Sequence, residues 1–466
     1  MDKEPSGGAN RGLVTASRTV VIGGGISGLT VAWALRTQGA PVLLLEASDR
    51  LGGQIRSRHR DGFVLEDGPN GFLDRDGSVS RLATALGIGD KLRGPSPTGD
   101  RRAIFVRGRL RDLPASPPRF MMSGLLPPWS KARLMLEPLS KRGALGVDES
   151  LGHFGRRHLG RVATETLLDA MQTGIFAGDI EKLSVRAAFP RLHHMERSHR
   201  SLLLAVRALR RAHPGAGAPR LGTIEGGLQT LPDALARALG PDALTGAAAV
   251  ALRPEEGGWS VQWSGGSASA RRVVLATPPN VTAQLLESVD PSVATALRAI
   301  HVVPVTVVHL GWSPRLDREP EGFGFLVPAR EHRRILGTIY ASSAFPFRAP
   351  GGGTLLTTLV GGAHHPELAA LPDAELVQAV REELQTMLGI HRAPDLVEVV
   401  RWPRAIPQYE VGHHARLEAI ALTLRSRPGL LLAGNAYRGP GIADCVREGL
   451  VLADSIARMS GMHATV

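Results

Sequence analysis

The chain is poor in cysteine, in aromatic residues and in long apolar runs, and each shortage excludes a class of protein. Its one cysteine, Cys445, leaves no intramolecular disulfide and no cysteine-rich metal site. Aromatic residues make up 4% of the 466 residues, which argues against a surface that stacks nucleic-acid bases, so no nucleic-acid partner is predicted. Because no run of about 18 apolar residues occurs, no transmembrane helix is expected.

Lysine is scarce as well. The 55 lysine and arginine residues include only five lysines, so arginine supplies almost all of the positive charge behind a formal net charge of +12. A surface this basic favours polyanions, acidic lipid headgroups or carboxylate substrates, although a plain solvated surface has the same composition. His193 and His194 are adjacent, but no third ligand converges on them, so no metal site is predicted.

The remaining composition is that of an ordinary globular protein. Hydrophobic residues make up 43% and charged residues 21% of a chain long enough for two or three domains. Residues 1–17 lack the apolar core of a secretory signal and are predicted to be a disordered tail. A chain with one cysteine and no such signal is expected in a reducing, cytoplasmic setting.

The strongest local pattern follows this tail. Thr19–Ile22 is the β-branched, apolar run of a buried parallel strand, and a glycine-rich turn leads from it into a helix predicted over Leu29–Thr37. In that turn Gly23 permits a tight bend, Gly25 lets the backbone approach a pyrophosphate, and Gly28 lets the helix pack close on the strand. The helix N-terminus then favours the negative charge of the phosphates.

A second strand, Val42–Leu45, completes the β–α–β unit and ends in Glu46. An acid at this position can accept hydrogen bonds from ribose hydroxyls and repels a 2′-phosphate, which disfavours NADP. The next segment, Arg50–Arg56, adds Gly52 and Gly53 between arginines, so the backbone can approach the diphosphate a second time. NAD dehydrogenases usually lack this segment.

These motifs resemble those of the large flavoprotein family that contains amine oxidases, phytoene desaturases and protoporphyrinogen oxidases. In that family Glu66–Gly71 corresponds to a loop that reaches the flavin ring, and Leu430–Tyr437 to a strand that enters a glycine turn before the last helix, predicted over Cys445–Met459. The resemblance implies non-covalent FAD. It also implies that FAD is bound by the glycine turns and their neighbours, namely Gly23, Gly24, Gly25, Ile26, Ser27, Gly28, Glu46, Ala47, Arg50, Gly52, Gly53, Gly68, Pro69, Asn70, Gly71, Ala249, Trp402, Gly434, Asn435, Pro440, Gly441 and Ile442.

Within this family the chain is most similar to the protoporphyrinogen oxidases, along nearly its whole length after Ser17. The similarity is carried, in order, by the segments Arg101–Pro114, Thr173–Ser184, Gly322–Pro328, Gly337–Tyr340, Phe345–Pro350 and Trp402–Tyr409. Their number and order are more specific than any single motif. One departure is Ala443, which stands where the family usually has asparagine.

The resemblance implies a porphyrinogen substrate, oxidised at the flavin with O2 as the electron acceptor. Arg102 would pair with a propionate, because the planar guanidinium binds carboxylate bidentately. Leu326, Ile339 and Leu359 would enclose the macrocycle, and Gly174 would let its backbone come close. No side chain in these segments stands out as a catalytic base, so flavin N5 is expected to carry the chemistry.

Three alternatives remain open on these grounds. Coproporphyrinogen III, which has four propionates, would be oxidised on the same fold by the same chemistry. Amine oxidases of this fold typically place a lysine near flavin N5, and the chain has no lysine after Lys182. A nucleotide-sensing protein without turnover would not need the large middle region.

The predicted fold is α/β and α+β, with a discontinuous Rossmann-like FAD-binding domain (18–92, 221–284 and 402–466), a mainly helical domain (93–220) and a substrate domain (285–401). The segment Phe120–Trp129, followed by Lys131 and Arg133, either dips into the inner face of the cell membrane or packs on its own domain. The resemblance also suggests a homodimer and a hand-off of product to ferrochelatase, and no residue specifies either.

Overall fold

The structure is a computed structural model that describes residues 18–114, 116–144, 146–199, 201–212 and 221–459. The predicted disordered tail, 1–17, therefore lies outside the described residues. So do 213–220 and 460–466, which fall at the ends of the predicted helical and FAD-binding domains.

Strands form where β-branched and apolar runs lie between glycine and proline breaks. In chain order they are β1 (Thr19–Ile22), β2 (Val42–Leu45), β3 (Ser57–Arg60), β4 (Phe63–Glu66), β5 (Phe72–Leu73), β6 (Leu92–Arg93), β7 (Arg102–Val106), β8 (Arg109–Asp112), β9 (Leu221–Ile224), β10 (Ala243–Leu244), β11 (Ala249–Glu255), β12 (Gly258–Trp263), β13 (Gly266–Ala270), β14 (Arg272–Leu275), β15 (Val302–Trp312), β16 (Gly324–Leu326), β17 (Gly337–Tyr340), β18 (Thr354–Gly361), β19 (Leu396–Pro407) and β20 (Leu430–Leu432).

The helices occupy the sequence between these strands. They are α1 (Ile26–Thr37), α2 (Ser78–Ala85), α3 (Pro117–Met122), α4 (Pro128–Met135), α5 (Leu151–Leu159), α6 (Arg161–Ala163), α7 (Asp169–Phe176), α8 (Val185–Ala188), α9 (Pro190–His199), α10 (Leu202–Ala212), α11 (Thr230–Leu239), α12 (Pro279–Leu286), α13 (Pro291–Arg298), α14 (Ala341–Ala344), α15 (Asp373–Leu388), α16 (His413–Leu424) and α17 (Ile442–Met459).

Several helix starts differ from the sequence prediction. Helix α1 begins at Ile26 rather than Leu29, because Gly25 is extended and already acts as its N-cap. From the sequence, Glu225–Gly227 is predicted to open a helix that runs to Leu239. The helix, α11, begins only at Thr230, since Gly226 and Gly227 have φ of +85° and +104°, outside the helical region. Helix α17 begins three residues before the predicted Cys445.

A five-stranded parallel sheet, in the order β10–β2–β1–β14–β20, forms the predicted nucleotide-binding domain. Its strands are aliphatic because both faces are covered, by one apolar core that includes α1 and α17 and by a second that includes α12 and α13. The chain passes from β1 to β2 on one side and returns to β14 on the other. The strand order therefore reverses at β1, where ligands of open α/β sheets bind beyond the carboxyl ends.

A seven-stranded sheet, in the order β19–β15–β18–β17–β16–β7–β8, forms the second body. One of its faces packs against α15 through an apolar core that includes Phe325, Tyr340 and Leu356. The β7–β8 hairpin joins this sheet through parallel pairing of β7 with β16, although it lies within the predicted helical domain. Strand β19 crosses the boundary predicted at 401/402. These two segments therefore pair with the predicted substrate domain.

A small sheet, β5–β9–β6, lies where the chain leaves the nucleotide-binding domain and returns to it. Strands β6 and β9 pair antiparallel, with Leu92 opposite Ile224 and Arg93 opposite Thr223. The intervening residues carry α3 to α10 and the β7–β8 hairpin.

A buried ionic cluster holds together helices of the segment between β6 and β9. The ring nitrogens of His158 lie 2.7 Å from Glu137 Oε1 and 3.1 Å from Glu196 Oε1, and all three side chains are fully buried. Glu137 also accepts hydrogen bonds from the amides of Leu202 and Leu203, so it caps the start of α10. Burial alone would raise the pKa of Glu137, but the hydrogen bonds from His158, Ser201 and these amides outweigh it and lower the pKa to about 2.

We expect Glu137→Gln to destabilise the protein by about 3 kcal/mol at neutral pH, because it leaves His158 and the α10 amides without their charged acceptor. A carboxylate whose pKa is lowered on folding stabilises the folded state above its ordinary pKa of 4.5. That contribution is lost as the pH falls from 4.5 towards 2. Thermal unfolding followed by circular dichroism at pH 7 and pH 3 should therefore show a wild-type advantage that shrinks at pH 3.

The matched control is Glu181→Gln, which breaks the solvent-exposed pair of Glu181 with Arg156 in the same part of the chain. Such surface pairs contribute about 1 kcal/mol or less. Equal melting temperatures for the two variants would contradict the assigned role of Glu137.

Candidate functional site

Two glycine segments meet at the carboxyl end of β1. The amide of Gly52 donates to the carbonyl of Gly24 at 2.8 Å, and Gly25 pairs with Gly52 in an isolated parallel bridge. A Cβ on Gly53 would lie 3.1 Å from Gly25 Cα. The two predicted backbone approaches to a diphosphate therefore lie side by side, in close backbone contact.

The start of α1 faces open space beside this contact. A Cβ on Gly25, the N-cap, would meet nothing within 4 Å, and no side chain caps the helix. A Cβ on Gly28 would lie 2.0 Å from the carbonyl of Gly23, so the turn needs glycine there. Uncapped amides at Ile26 and Ser27 with room in front of them fit a diphosphate group.

Glu46 forms the predicted ribose end of the site. Its carboxylate accepts the amide of Gly24 at 2.6 Å and the amide of Ser48 at 2.9 Å. The amide of Ala247 donates to the carbonyl of Glu46, which brings the start of β11, and with it Ala249, beside the acid. Ala47 is exposed next to it. The predicted ribose residue Glu46 and the predicted FAD-binding residues Ala47 and Ala249 are thus neighbours.

Arg50, a predicted FAD-binding residue, also holds the second glycine segment in place. Its guanidinium donates to the carbonyls of Gly53 at 2.5 Å and Ile55 at 3.1 Å. Burial, followed by repulsion from Arg56, lowers the pKa of Arg50. Arg50 therefore fixes the shape of the second glycine segment from behind.

The predicted flavin loop, Glu66–Gly71, is held by a residue that the sequence reasoning did not single out. Arg348 is fully buried, and its Nη2 lies 2.8 Å from the carbonyl of Asn70, 3.0 Å from Thr223 Oγ1 and 3.3 Å from Glu66 Oε1. Its Nη1 donates to Asn70 Oδ1 at 3.3 Å. The signal available in the sequence was one arginine in the otherwise apolar segment Phe345–Pro350.

The same loop is held a second time through Asp67, which is fully buried. Arg58 donates to both carboxylate oxygens of Asp67, at 2.7 and 2.9 Å, and Trp402 Nε1 donates to its carbonyl at 2.6 Å. Burial alone would raise the pKa of Asp67, but His309 and Arg58 outweigh it and lower the pKa. The predicted cofactor residue Trp402 thus lies behind the loop.

Gly68 and Gly71 let the loop pack tightly. A Cβ on Gly68 would lie 2.0 Å from the carbonyl of Gln54, and one on Gly71 would lie 2.8 Å from the carbonyl of Gly222. Pro69 stands between them and is half-buried. At Gly68 and Gly71 the loop therefore packs through its backbone.

The C-terminal turn brings the remaining predicted cofactor residues to the carboxyl end of β20. Gly434 and Gly439 have φ of +132° and +130°, which side chains rarely adopt. Asn435, Pro440, Gly441 and Ile442 complete the turn into α17. The Asp444 carboxylate packs against Gly439, so an acid of α17 itself lies at the start of this helix.

Four predicted substrate residues lie on one face of the seven-stranded sheet. In register, Arg102 is opposite Gly324, Gly324 opposite Ile339, and Gly337 opposite both Leu326 and Leu359. Paired residues point to the same side of a sheet, so these strands present one surface. This surface lies on the face of the sheet that points away from α15. It also includes His309, whose Nε2 lies 3.8 Å from Asp67 Oδ1 in the flavin loop.

Gly174, the fifth predicted substrate residue, is exposed on α7 and lies against this surface. A Cβ there would be 3.1 Å from a methyl carbon of Leu326. Glycine therefore lets α7 approach the sheet, and the two residues contact each other directly.

Arg102 differs from the arginines around it. The neighbouring Arg101 pairs with Asp112 and Glu321. Within the described part of the chain, Arg102 has no carboxylate within 4.0 Å, and its guanidinium lies over the ring of Phe323 at 5.6 Å. An exposed, unpaired cation at the edge of an apolar surface is suited to a carboxylate ligand.

A cavity of about 580 Å³ opens elsewhere, at the amino ends of β14 and β20. Trp259, Arg271 and Arg427 line it, and none of the predicted site residues does. The glycine turns, the uncapped start of α1 and the reversal of strand order all lie at the opposite edge of the sheet. That edge is therefore the candidate functional site.

The comparisons with known proteins agree with this geometry. Residues 26–457 match the family model described as flavin containing amine oxidoreductase. Protoporphyrinogen oxidase of Bos taurus is 35% identical over 92% of this chain and 96% of its own length. Coproporphyrinogen III oxidase of Bacillus subtilis (strain 168) is 31% identical over 92% of this chain and 96% of its own length. A crystal structure from Exiguobacterium sp. 255-15 covers 96% of this chain and 100% of its own at 27% identity, with a TM-score of 0.83.

Replacing Arg348 with methionine should lower the stability of the protein by about 3–5 kcal/mol, because it leaves Glu66 buried without its cation. The flavin loop also loses its attachment to Thr223. We therefore expect a lower melting temperature together with loss of flavin absorbance during gel filtration.

Arg298→Met serves as the control, since it breaks the exposed pair of Arg298 with Glu287 and removes the same atoms. This variant should retain the wild-type melting temperature and its bound flavin. Retention of flavin and melting temperature by Arg348→Met would show that the loop does not depend on Arg348.

Proposed function

Because the chain belongs to the flavin containing amine oxidoreductase family, we propose that it oxidises protoporphyrinogen IX to protoporphyrin IX in porphyrin and heme biosynthesis, with O2 as the electron acceptor. The predictions of an oxidoreductase and of a flavin cofactor are confirmed by the family. The substrate proposal is supported by relatives named protoporphyrinogen oxidase that are about one-third identical over most of the chain.

The observation that carries this proposal is the unpaired Arg102 beside an apolar sheet surface. A porphyrinogen is a large apolar macrocycle with propionates at one edge. Arg102 would bind a propionate, while the half-buried Leu326, Ile339 and Leu359 would cover the rings. Exclusion of water from the rings and from the ion pair between Arg102 and the propionate would fix the orientation of the substrate.

The predicted substrate residues would orient the substrate and exclude water. None of them supplies a general acid or a general base. Bound flavin supplies the two-electron acceptor. Non-covalent binding is supported by Cys445, because burial raises the pKa of its thiol to about 11 and so leaves it unreactive.

A second candidate, oxidation of coproporphyrinogen III, is favoured by Arg111. This residue lies opposite Ile104 in the β7–β8 hairpin, so it points to the same side of the sheet as Arg102. Like Arg102, it has no carboxylate within 4.0 Å among the residues described. A second cation on this face would suit a substrate with more carboxylates, and a named relative acts on coproporphyrinogen III.

The proposal of peripheral membrane contact rests on apolar residues around α3 and α4. Met122 is 87% exposed, Trp129 69% and Leu139 77%, whereas Leu125 and Leu126 of the predicted segment are buried. The two predicted cations are engaged inside the protein, because Lys131 donates to two backbone carbonyls and so does Arg133. The attraction would therefore be mainly apolar.

In the described ranges, no helix is both long and apolar enough to cross a membrane. A homodimer and a hand-off of product to ferrochelatase stay predictions.

The function is tested by adding protoporphyrinogen and coproporphyrinogen separately to the purified flavoprotein in air and measuring porphyrin fluorescence. We expect faster oxidation of protoporphyrinogen. Faster oxidation of coproporphyrinogen would select the second candidate, and formation of neither porphyrin would refute the proposal.

In the same assay, Arg102→Ala should raise KM by roughly tenfold or more with little change in kcat, because a charge-assisted hydrogen bond contributes about 1.5–3 kcal/mol. Arg101→Ala is the matched control, since Arg101 is already paired with Asp112 and Glu321. An unchanged KM in Arg102→Ala would remove this residue from the site.

Membrane contact is tested by co-sedimentation with phosphatidylcholine vesicles, with and without phosphatidylglycerol. The double substitution of glutamate for Trp129 and Leu139 should weaken binding at least about tenfold, since two exposed apolar side chains are lost. Leu422→Glu changes a residue that is 64% exposed on α16 and should bind as the wild type does. Equal binding by all three proteins would argue against this surface.

A further inference from the structure

Tyr409 is a buried residue whose hydroxyl group contacts the C-terminal flavin turn twice. Its side chain is 2% exposed. The hydroxyl donates to the carbonyl of Asn435 at 2.6 Å and accepts the amide of Gly439 at 2.8 Å. Both groups belong to the turn that leads from β20 into α17.

The two backbone groups are four residues apart, the spacing at which a carbonyl and an amide bond each other in a single helical turn. In this turn the Tyr409 hydroxyl stands between them instead. It therefore keeps the turn wider than a direct hydrogen bond would, and it satisfies both groups. Burial raises the pKa of Tyr409, so the hydroxyl remains a donor throughout the physiological range.

The ring of Tyr409 contacts two other rings. His413 stacks on it with a centroid distance of 4.4 Å and an angle of 10° between planes. Burial, followed by repulsion from Arg416, lowers the pKa of His413 to about 4, so the imidazole packs there as a neutral plate. The ring of Phe176 also contacts the Tyr409 ring, tilted by 58° at a centroid distance of 5.4 Å.

Phe176 is the last residue of α7, the helix that carries Gly174. The backbone carbonyl of Tyr409 also accepts the amide of Ser184, and the neighbouring Gln408 donates to the carbonyl of Phe176 at 2.8 Å. Tyr409 is thus joined to α7 through its ring and the neighbouring Gln408, to the start of α8 through its backbone carbonyl, and to the C-terminal flavin turn through its hydroxyl.

We propose that Tyr409 is a positioning residue that fixes the C-terminal flavin turn relative to α7, and so sets the flavin against the substrate. This inference rests on the proposed function. Tyr409 contacts neither reacting group in this proposal. It acts through the backbone of Asn435 and Gly439.

The test is Tyr409→Phe, which removes one oxygen atom and keeps the ring. We expect the apoprotein to bind FAD about tenfold more weakly, because two hydrogen bonds to the turn are lost. The visible absorption and circular dichroism of bound flavin should also change, as should the flavin reduction potential. These readouts report the surroundings of the flavin and do not depend on turnover.

Tyr340→Phe is the control, since Tyr340 is 4% exposed in β17, packs on Phe325 and has no contact with the turn. Its FAD affinity and flavin spectrum should match the wild type. If Tyr409→Phe gave the same values as Tyr340→Phe, the proposal would be overturned.

His413→Ala provides a second variant that keeps the Tyr409 hydroxyl but removes the imidazole stacked on the Tyr409 ring. It should shift the flavin spectrum in the same direction by a smaller amount, and it can be measured even if Tyr409→Phe does not fold. A wild-type spectrum in this variant would also count against the proposal. Wild-type protein that binds flavin but oxidises no porphyrinogen would refute the proposed function alone.

Discussion

A fully buried guanidinium determines how the two main bodies of this protein meet. Arg348 comes from the seven-stranded sheet side of the chain, and its acceptors are Glu66, Asn70 and Thr223 of the nucleotide-binding side. A charge removed from water is tolerated only when it is paired and hydrogen-bonded. The flavin loop, β9 and the Phe345–Pro350 segment must therefore assemble together. The ring of Phe345, 4.6 Å from the guanidinium, completes its enclosure.

Near this contact, backbone approaches backbone at several points. Gly24 and Gly25 lie against Gly52 and Gly53, and Gly68 lies against the carbonyl of Gln54. Such contacts leave amides and helix ends facing the space where a dinucleotide would lie, with side chains holding the turns from behind. Arg50, Trp402 and Tyr409 all act in this way, through carbonyls and amides of the turns.

The sequence predicted the first β–α–β unit well, because its strands, turn and helix are specified by residues close together in the chain. It failed where distant segments decide the outcome. Nothing local to Arg348 or Tyr409 reveals the partners that they meet in other segments of the chain. The β7–β8 hairpin was placed with the helices for the same reason, since its pairing with β16 is non-local. The start of the helix expected at Glu225 was wrong because Gly226 and Gly227 take positive φ, which the sequence permits but does not require.

The pairing of β6 with β9 makes everything between them a single, very long hairpin loop. Its two ends are fixed by two residue pairs, Leu92 with Ile224 and Arg93 with Thr223. Since the entropy of closing a loop grows only slowly with its length, the nucleotide-binding core is nearly indifferent to how much chain is inserted there. The segment between β6 and β9 can therefore lengthen, shorten or exchange its outer helices without moving the glycine turns of the candidate cofactor site. The β6–β9 pair is therefore a position at which the fold tolerates insertions.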